Sequence, residues 1–228
     1  MPSKAIAILN TSLKITLPIV ALFLFAVLGK VIVYKDKPVT NTYFMRSASE
    51  KYGVKTFQYW RNIGDISKQL QLAVICSEDR EFLKHHGFNF RSIKAAWENN
   101  NRDDKRLIMG GSSISQQTAK NVFLWEERTW TRKFLECIIT PMLEVVWGKE
   151  RIMEVYLNII EFAPGVYGAE AASQIFFGHS ADKITQSEAA LLAAVMPAPS
   201  KRNILNPDSC VIARQSEIIA SMSIASLE

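Results

Sequence analysis

Gly110-Gly111-Ser112-Ser113-Ile114-Ser115-Gln116-Gln117-Thr118-Ala119-Lys120 makes a poor core segment and a good site for a polar ligand. Paired glycines permit backbone angles and close approaches that a side chain blocks, and Ser112 or Ser113 can cap the helix that follows. N–H groups at such a helix start attract anions. Taken alone, Gly-Gly-Ser is most often an ordinary surface cap. Its surroundings therefore decide the reading.

Upstream stands Glu78-Asp79-Arg80-Glu81-Phe82-Leu83-Lys84-His85-His86-Gly87; downstream stand Arg132-Lys133-Phe134-Leu135-Glu136 and Lys149-Glu150-Arg151-Ile152-Met153-Glu154-Val155-Tyr156-Leu157-Asn158. These match E-D-x-x-F-x-x-H-x-G, G-G-S-[ST]-I-[ST]-Q-Q, R-K-x-x-E and K-x-x-I-x-E-x-Y-L-N. In order and spacing the chain resembles the peptidoglycan glycosyltransferases (glycosyltransferase family 51), monofunctional biosynthetic enzymes among them, over about Ile66 to Asn206. The resemblance implies a mainly α, lysozyme-like helical domain that polymerises lipid II. One departure is Asn89, where the family usually carries Asp; Asn caps a helix about as well.

At 228 residues and 48% hydrophobic, the chain has room for one domain with a sizeable core and one extra segment. Ile15 to Tyr34 is nearly all apolar, and about 20 helical residues at ~1.5 Å each span a ~30 Å hydrocarbon core. No small-x-small cleavage site follows the run, so it reads as an anchor rather than a cleaved signal. The expected organisation is a short cytoplasmic N-terminus (1–14), a transmembrane anchor (15–34), a basic and aromatic juxtamembrane segment (35–65) and the glycosyltransferase domain (66–228). Lys4 and Lys14 precede the span while Lys30, Lys35 and Lys37 lie at or beyond its far end, so flanking charge does not set orientation. The resemblance implies a single-pass protein of the cytoplasmic (inner) membrane with its catalytic domain on the periplasmic side.

The net charge of +5 comes with Lys30, Lys35, Lys37, Arg46, Lys51, Lys55 and Arg61 interleaved with Tyr43, Phe44, Phe57, Tyr59 and Trp60. An anionic membrane surface and a solvated basic linker both fit this pattern. No motif for nucleic acid accompanies it. Cys76, Cys137 and Cys210 lack metal spacing and read as small buried hydrophobes.

The remainder reads as helices and turns with no run of alternating strands. Leu70 to Cys76 is an apolar run that delivers Glu78 from a helix end into a cleft, and Asn89 caps a helix in which Ile93, Ala96 and Trp97 share a face. Asn99 to Arg106 is a polar connection and a candidate flap. Trp130–Trp147 and Lys149–Ile160 are helices divided at Gly148. Thr185 and Glu188 form a capping box, Pro197 and Pro199 end that helix, and Asn206-Pro207 is expected to start the last one.

Joining the 4-hydroxyl of one sugar to C1 of another, with a lipid pyrophosphate leaving, needs a base and positive charge. By resemblance Glu78 is the general base, giving inversion at the anomeric carbon. Arg132 and Lys133 neutralise the pyrophosphate, and Glu136, assigned as the second catalytic residue, orients or assists that side. Ser112, Ser113, Gln116 and Gln117 suit sugar hydroxyls and phosphates. Asp79, His85, Gly111 and Lys120 belong to the same motifs and are assigned with them to substrate binding, His85 to orient the Glu78 loop rather than titrate. Glu154 and Asn158 are assigned there too, with a scaffold role equally open. Nothing in the sequence marks a metal site, although a divalent cation (Mg or Mn) suits pyrophosphate chemistry. Expected partners are lipid II, the growing glycan strand, the membrane and other cell-wall synthesis or division proteins.

Two other readings use the same residues. A lysozyme-like enzyme that cleaves peptidoglycan needs a carboxyl held protonated, whereas a pyrophosphate leaving group needs cations; Arg132-Lys133 favours transfer. An idle membrane-anchored scaffold is disfavoured by intact Glu78 and Glu136. Ser180-x-x-Lys183 is unaccompanied by S-D-N or K-T-G, so no transpeptidase is indicated.

Overall fold

The computed structural model describes residues 2–100 and 111–225. Gly110, together with 101–106 of the polar connection expected as a flap, lies outside the described residues. The chain divides into two compact units, 1–37 and 38–228.

The first unit is one helix, α1 (Pro2–Tyr34), which runs through Pro18. It takes in the segment expected as a separate N-terminus. Within it Leu17–Tyr34 is long and apolar enough to cross a membrane.

The second unit begins well before the expected boundary at 66. Helix α2 (Tyr43–Tyr52) is capped by Thr42 and closed by Gly53 in the left-handed conformation. Phe57–Gln58 forms β1, which pairs in parallel with β3 (Val166–Tyr167); β3 in turn pairs antiparallel with β2 (Glu161–Ala163). Strands of two or three residues are too short to show alternation, so this small sheet was invisible to periodicity. A 3-10 turn at Ile63–Asp65 follows. The stretch expected as a juxtamembrane segment is thus, from residue 38 on, part of the folded body, and buried polar residues of a later helix hold it there.

Helix α3 (Lys68–Glu78) is anchored by Leu70, Ala73 and Val74, all fully buried, and stops at Glu78. Helix α4 (Phe90–Asn100) starts after Asn89, whose side chain accepts from Ser92 N at 3.0 Å as expected of a cap. Of its expected apolar face only Ala96 is buried; Ile93 and Trp97 are exposed. The site helices are α5 (Ile114–Phe123), α6 (Trp130–Val146) and α7 (Gly148–Ile159); α5 packs on both others. Gly148 divides α6 from α7 at φ +71.

Helix α8 (Ala169–Phe177) follows the sheet, and α9 (Gln186–Val195) carries the expected Thr185–Glu188 capping box. Helix α10 (Ser209–Ala225) begins two residues later than expected: Asp208 caps it, accepting from Val211 N at 2.8 Å, and Pro207 stands just outside. A carboxylate one residue beyond the proline satisfies the helix's open N–H groups, which Pro cannot do. All three cysteines are free, but only Cys76 is buried, so the expectation of buried hydrophobes fails for Cys137 and Cys210.

Candidate active site

Helix α3 ends at the rim of a cleft of about 230 Å³ lined by Glu78, Gln117, Lys120, Tyr156, Glu161 and Tyr167, among others. Glu78 presents its carboxylate there with 15% of the side chain exposed. Its Oε2 accepts from Gln117 Nε2 at 2.9 Å, and Gln117 Oε1 accepts from the hydroxyl of Tyr156 at 3.2 Å. Donation at one end and acceptance at the other set the amide's orientation. Tyr156 is fully buried, and burial, reinforced by the charges of Glu78 and Asp79, pushes its phenol far above the ordinary range. It stays a donor, and the chain Tyr156–Gln117–Glu78 is held in one arrangement.

Asp79 points the other way and is only 3% exposed. It accepts from His85 Nε2 at 2.8 Å, from Asn89 Nδ2 at 3.0 Å and from the backbone N–H of Ile114 at 3.2 Å. Gly87 N–H donates to His85 Nδ1 at 3.1 Å, which leaves the ring proton on Nε2, facing Asp79. The anion drawn to the start of α5 is therefore this internal carboxylate.

Two further N–H groups at that helix start are engaged as well. Ser113 N–H donates to Gln116 Oε1 at 3.1 Å, and Gln116 N–H returns a bond to Ser113 Oγ at 3.1 Å, a full capping box. Ser113 Oγ donates in turn to the Gly87 carbonyl at 2.5 Å. Asp79, His85, Ser113 and Gln116, expected from sequence at the substrate, make these internal bonds, and Gln116 also lines a cleft together with Gly111, Ser112 and Lys133. Gly111 packs against α4: an added Cβ would lie 3.0 Å from Ile93 Cα.

Glu154 and Asn158 both bond to the segment that precedes α3. Glu154 accepts from Ile63 N–H at 2.7 Å and pairs with Arg151. Asn158 is fully buried and exchanges two 2.8 Å bonds with the backbone of Arg61. Between them they fasten 61–63 to α7. Next to them, Gly168 at φ +83 leaves only 2.7 Å between an added Cβ and the Asn158 carbonyl.

Positive charge gathers on α5 and α6. Arg132, 9% exposed, donates through Nε to the Glu127 carbonyl at 2.8 Å and lies 3.3 Å from Glu136 through Nη1. Lys133 pairs with Glu136 Oε1 and reaches Ser112 Oγ at 3.2 Å. Glu136, at 2% exposure, lies beneath both cations. Lys120 stacks over the Phe44 ring at 5.5 Å, with no carboxylate paired to it among the described residues. Burial, aided by Arg132, Lys133 and Arg128, holds its ammonium below the ordinary lysine range.

Lys120 also lines a second cleft, of about 530 Å³, with Lys51, Arg128 and Arg132 and with Glu126 and Glu127, of which Glu126 pairs with Lys51 at 3.3 Å. A third, of about 520 Å³ and mostly apolar, runs from Ser112 and Lys133 along Phe88, Phe90, Ile93 and Cys137. Lys120 thus lines both the Glu78 cleft and a cleft in which four cations outnumber two carboxylates, and Lys133 stands at the mouth of an apolar one.

Sequence reading passed over three groups. Tyr156, given no role in the site beyond its place in a motif, is a polar relay. Glu161 shares the cleft with Glu78, and burial raises its carboxyl above the ordinary range. Arg214, on α10, lies 3.9 Å from Glu78 Oε1 through Nη2. The signal for Arg214 was an arginine at helical spacing between Val211 and Ile218.

A family model described as transglycosylase matches residues 46–223. The chain belongs to the transglycosylase family. Its similarity to the biosynthetic peptidoglycan transglycosylase of Caulobacter vibrioides is 46% identity over 205 residues, covering 88% of this chain and 87% of that protein. The protein of the same name from Bdellovibrio bacteriovorus is 44% identical over 205 residues, covering 88% and 81%. That from Pasteurella multocida is 42% identical over 210 residues, covering 90% and 85%. The family match starts inside α2, consistent with 38–65 being part of the folded transglycosylase body.

Proposed function

We propose that this protein is a peptidoglycan transglycosylase that polymerises lipid II into linear glycan strands by inverting transfer. The observation that carries the reading is that Lys120 lines both the Glu78 cleft and the cleft in which cations outnumber carboxylates. A base and a seat for a departing pyrophosphate then share one ammonium group.

Glu78 takes the proton of the acceptor's 4-hydroxyl as the new oxygen–C1 bond forms and the bond from C1 to the pyrophosphate oxygen breaks. The electron pair leaves on the polyprenyl pyrophosphate, and the proton passes from Glu78 to solvent. Gln117 holds Glu78 Oε2, so Oε1 is the accepting atom. Lys120, Arg132 and Lys133 neutralise the leaving group. Glu136 is reassigned from catalytic to positioning residue, since it holds Arg132 and Lys133 from below. The apolar cleft beside Lys133 suits the first units of the polyprenyl chain.

Among the described residues no three His, Cys, Asp or Glu side chains converge as a metal site. Glu136 is already faced by protein cations, as is Glu78, so this donor set does not fit a resident divalent ion.

Leu17–Tyr34 supports a membrane anchor; the proposed substrates, lipid II and the growing strand, are what favour the inner membrane with 38–228 on its periplasmic side. Exposed Phe90, Trp97, Trp130 and Phe134 on α4 and α6 suit a surface that works against lipid. The test is incubation of detergent-solubilised protein with labelled lipid II, separating products by glycan length. Long strands with release of polyprenyl pyrophosphate are expected. Shortening of pre-made strands instead would move the assignment to cleavage, with Glu161 as the acid to examine; inertness toward both would leave a scaffold.

A further inference from the structure

We infer that Arg214 is a positioning residue for the general base. The inference rests on Glu78 having that role. Val211, Ile218 and Met222 are buried on the inner face of α10, which packs against α9 and against α3, the helix that ends in Glu78. Arg214 follows Val211 by three and precedes Ile218 by four, which puts it on the same stripe. A helix that only needed to pack would carry an apolar residue there.

The Arg214 side chain is 33% exposed, yet its Nε is buried with no hydrogen-bond partner among the described residues, a cost in stability. Among the described residues its ionic neighbour is Glu78, Nη2 to Oε1 at 3.9 Å. That separation is too long for a hydrogen bond and short enough for a strong field. Oε2 is bonded to Gln117 from α5. Each carboxylate oxygen is thus set by a different helix, and the one left without a hydrogen bond is the one free to accept a proton.

The other charged and titratable groups near Glu78 are differently occupied. Asp79 turns to the start of α5, and Arg80 donates to the Cys76 carbonyl at 3.3 Å and to Ser221 at 3.1 Å. Lys120 and Glu161 share the cleft, and Tyr156 acts through Gln117. The charge set against Oε1 therefore comes from Arg214.

The test compares the full-length chain with its Arg214→Met, Arg214→Lys, Gln215→Ala and Glu78→Gln variants, measuring kcat and KM for labelled lipid II together with thermal melting. Arg214→Met completes the apolar stripe and removes the unsatisfied nitrogen, so it should melt at or above wild type while kcat falls about 10- to 100-fold and KM stays within about 3-fold. Arg214→Lys should recover most of the lost kcat. Gln215→Ala removes a different tie of α10, to the Ser187 carbonyl at 2.9 Å, and should leave kcat unchanged. Wild-type kcat in Arg214→Met, equal losses in Arg214→Lys and Arg214→Met, or an equal loss in Gln215→Ala would each overturn the inference. Should Glu78→Gln itself turn over normally, the base assignment fails and takes the inference with it; an inactive Glu78→Gln beside a normal Arg214→Met removes the inference alone.

Discussion

Lys120, in the role proposed for it, would carry function at a cost in stability. Its folded-state affinity for the proton lies below the unfolded one, so its charged form destabilises the fold at neutral pH. That cost is relieved as pH rises through the lowered folded value, because the unfolded state then binds more protons. Two outcomes are expected. Lys120→Met should raise the melting temperature at pH 7 while cutting turnover about 100-fold or more, read by calorimetry and lipid II assay on one sample. In the wild type, kcat/KM should fall on the alkaline side below the ordinary lysine value of 10.5, and Lys120→Arg should carry that limb upward. A Lys120→Met protein less stable than wild type would show that the buried ammonium has a protein partner after all. Asn89 makes a second residue-level case. Its Oδ1 caps α4 while its Nδ2 donates to Asp79, a combination Asp cannot supply. Asn89→Asp should therefore keep the cap yet lose about 1–3 kcal/mol in denaturant unfolding, because Asp79 loses a buried donor and gains a like charge.

Helix α5 is the element on which the site depends, since its first turn carries the cap and its next turn carries Gln117 and Lys120. Ser113→Ala removes both the cap to Gln116 and the bond to Gly87, so a loss of about 1–2 kcal/mol is expected, with kcat falling more than KM changes as Gln117 loses its register. This element was legible in sequence because two glycines, a capping Ser and a Gln three residues on are local signals. Helix starts at Asn89 and Thr185 were legible for the same reason. What local signals cannot report is a partner far along the chain. Asp79 and Ile114 are distant in sequence, as are Asn158 and Arg61, and their pairing gives residues expected at the ligand an internal tie. The short sheet and the inclusion of 38–65 in the body were missed on the same ground, because both depend on contacts made with α7 and β3.

At the scale of the whole molecule, the two compact units carry separable properties. A chain begun at Pro38 should retain cooperative melting, since its core lies within 38–228, while its association with phospholipid vesicles and its turnover of vesicle-borne lipid II fall. Sedimentation with vesicles reads the first, and product release reads the second. The clefts of the larger unit bring a carboxylate, a buried ammonium and a pair of cations held by Glu136 into one working order, and the account stands or falls on the carboxylate. The decisive measurement is the single-turnover rate of Glu78→Gln on labelled lipid II, in protein that melts like wild type and still binds a phosphoglycolipid mimic of the donor. A loss of about 100-fold or more with binding intact is the expected result; turnover within a few-fold of wild type would contradict Glu78 as the base.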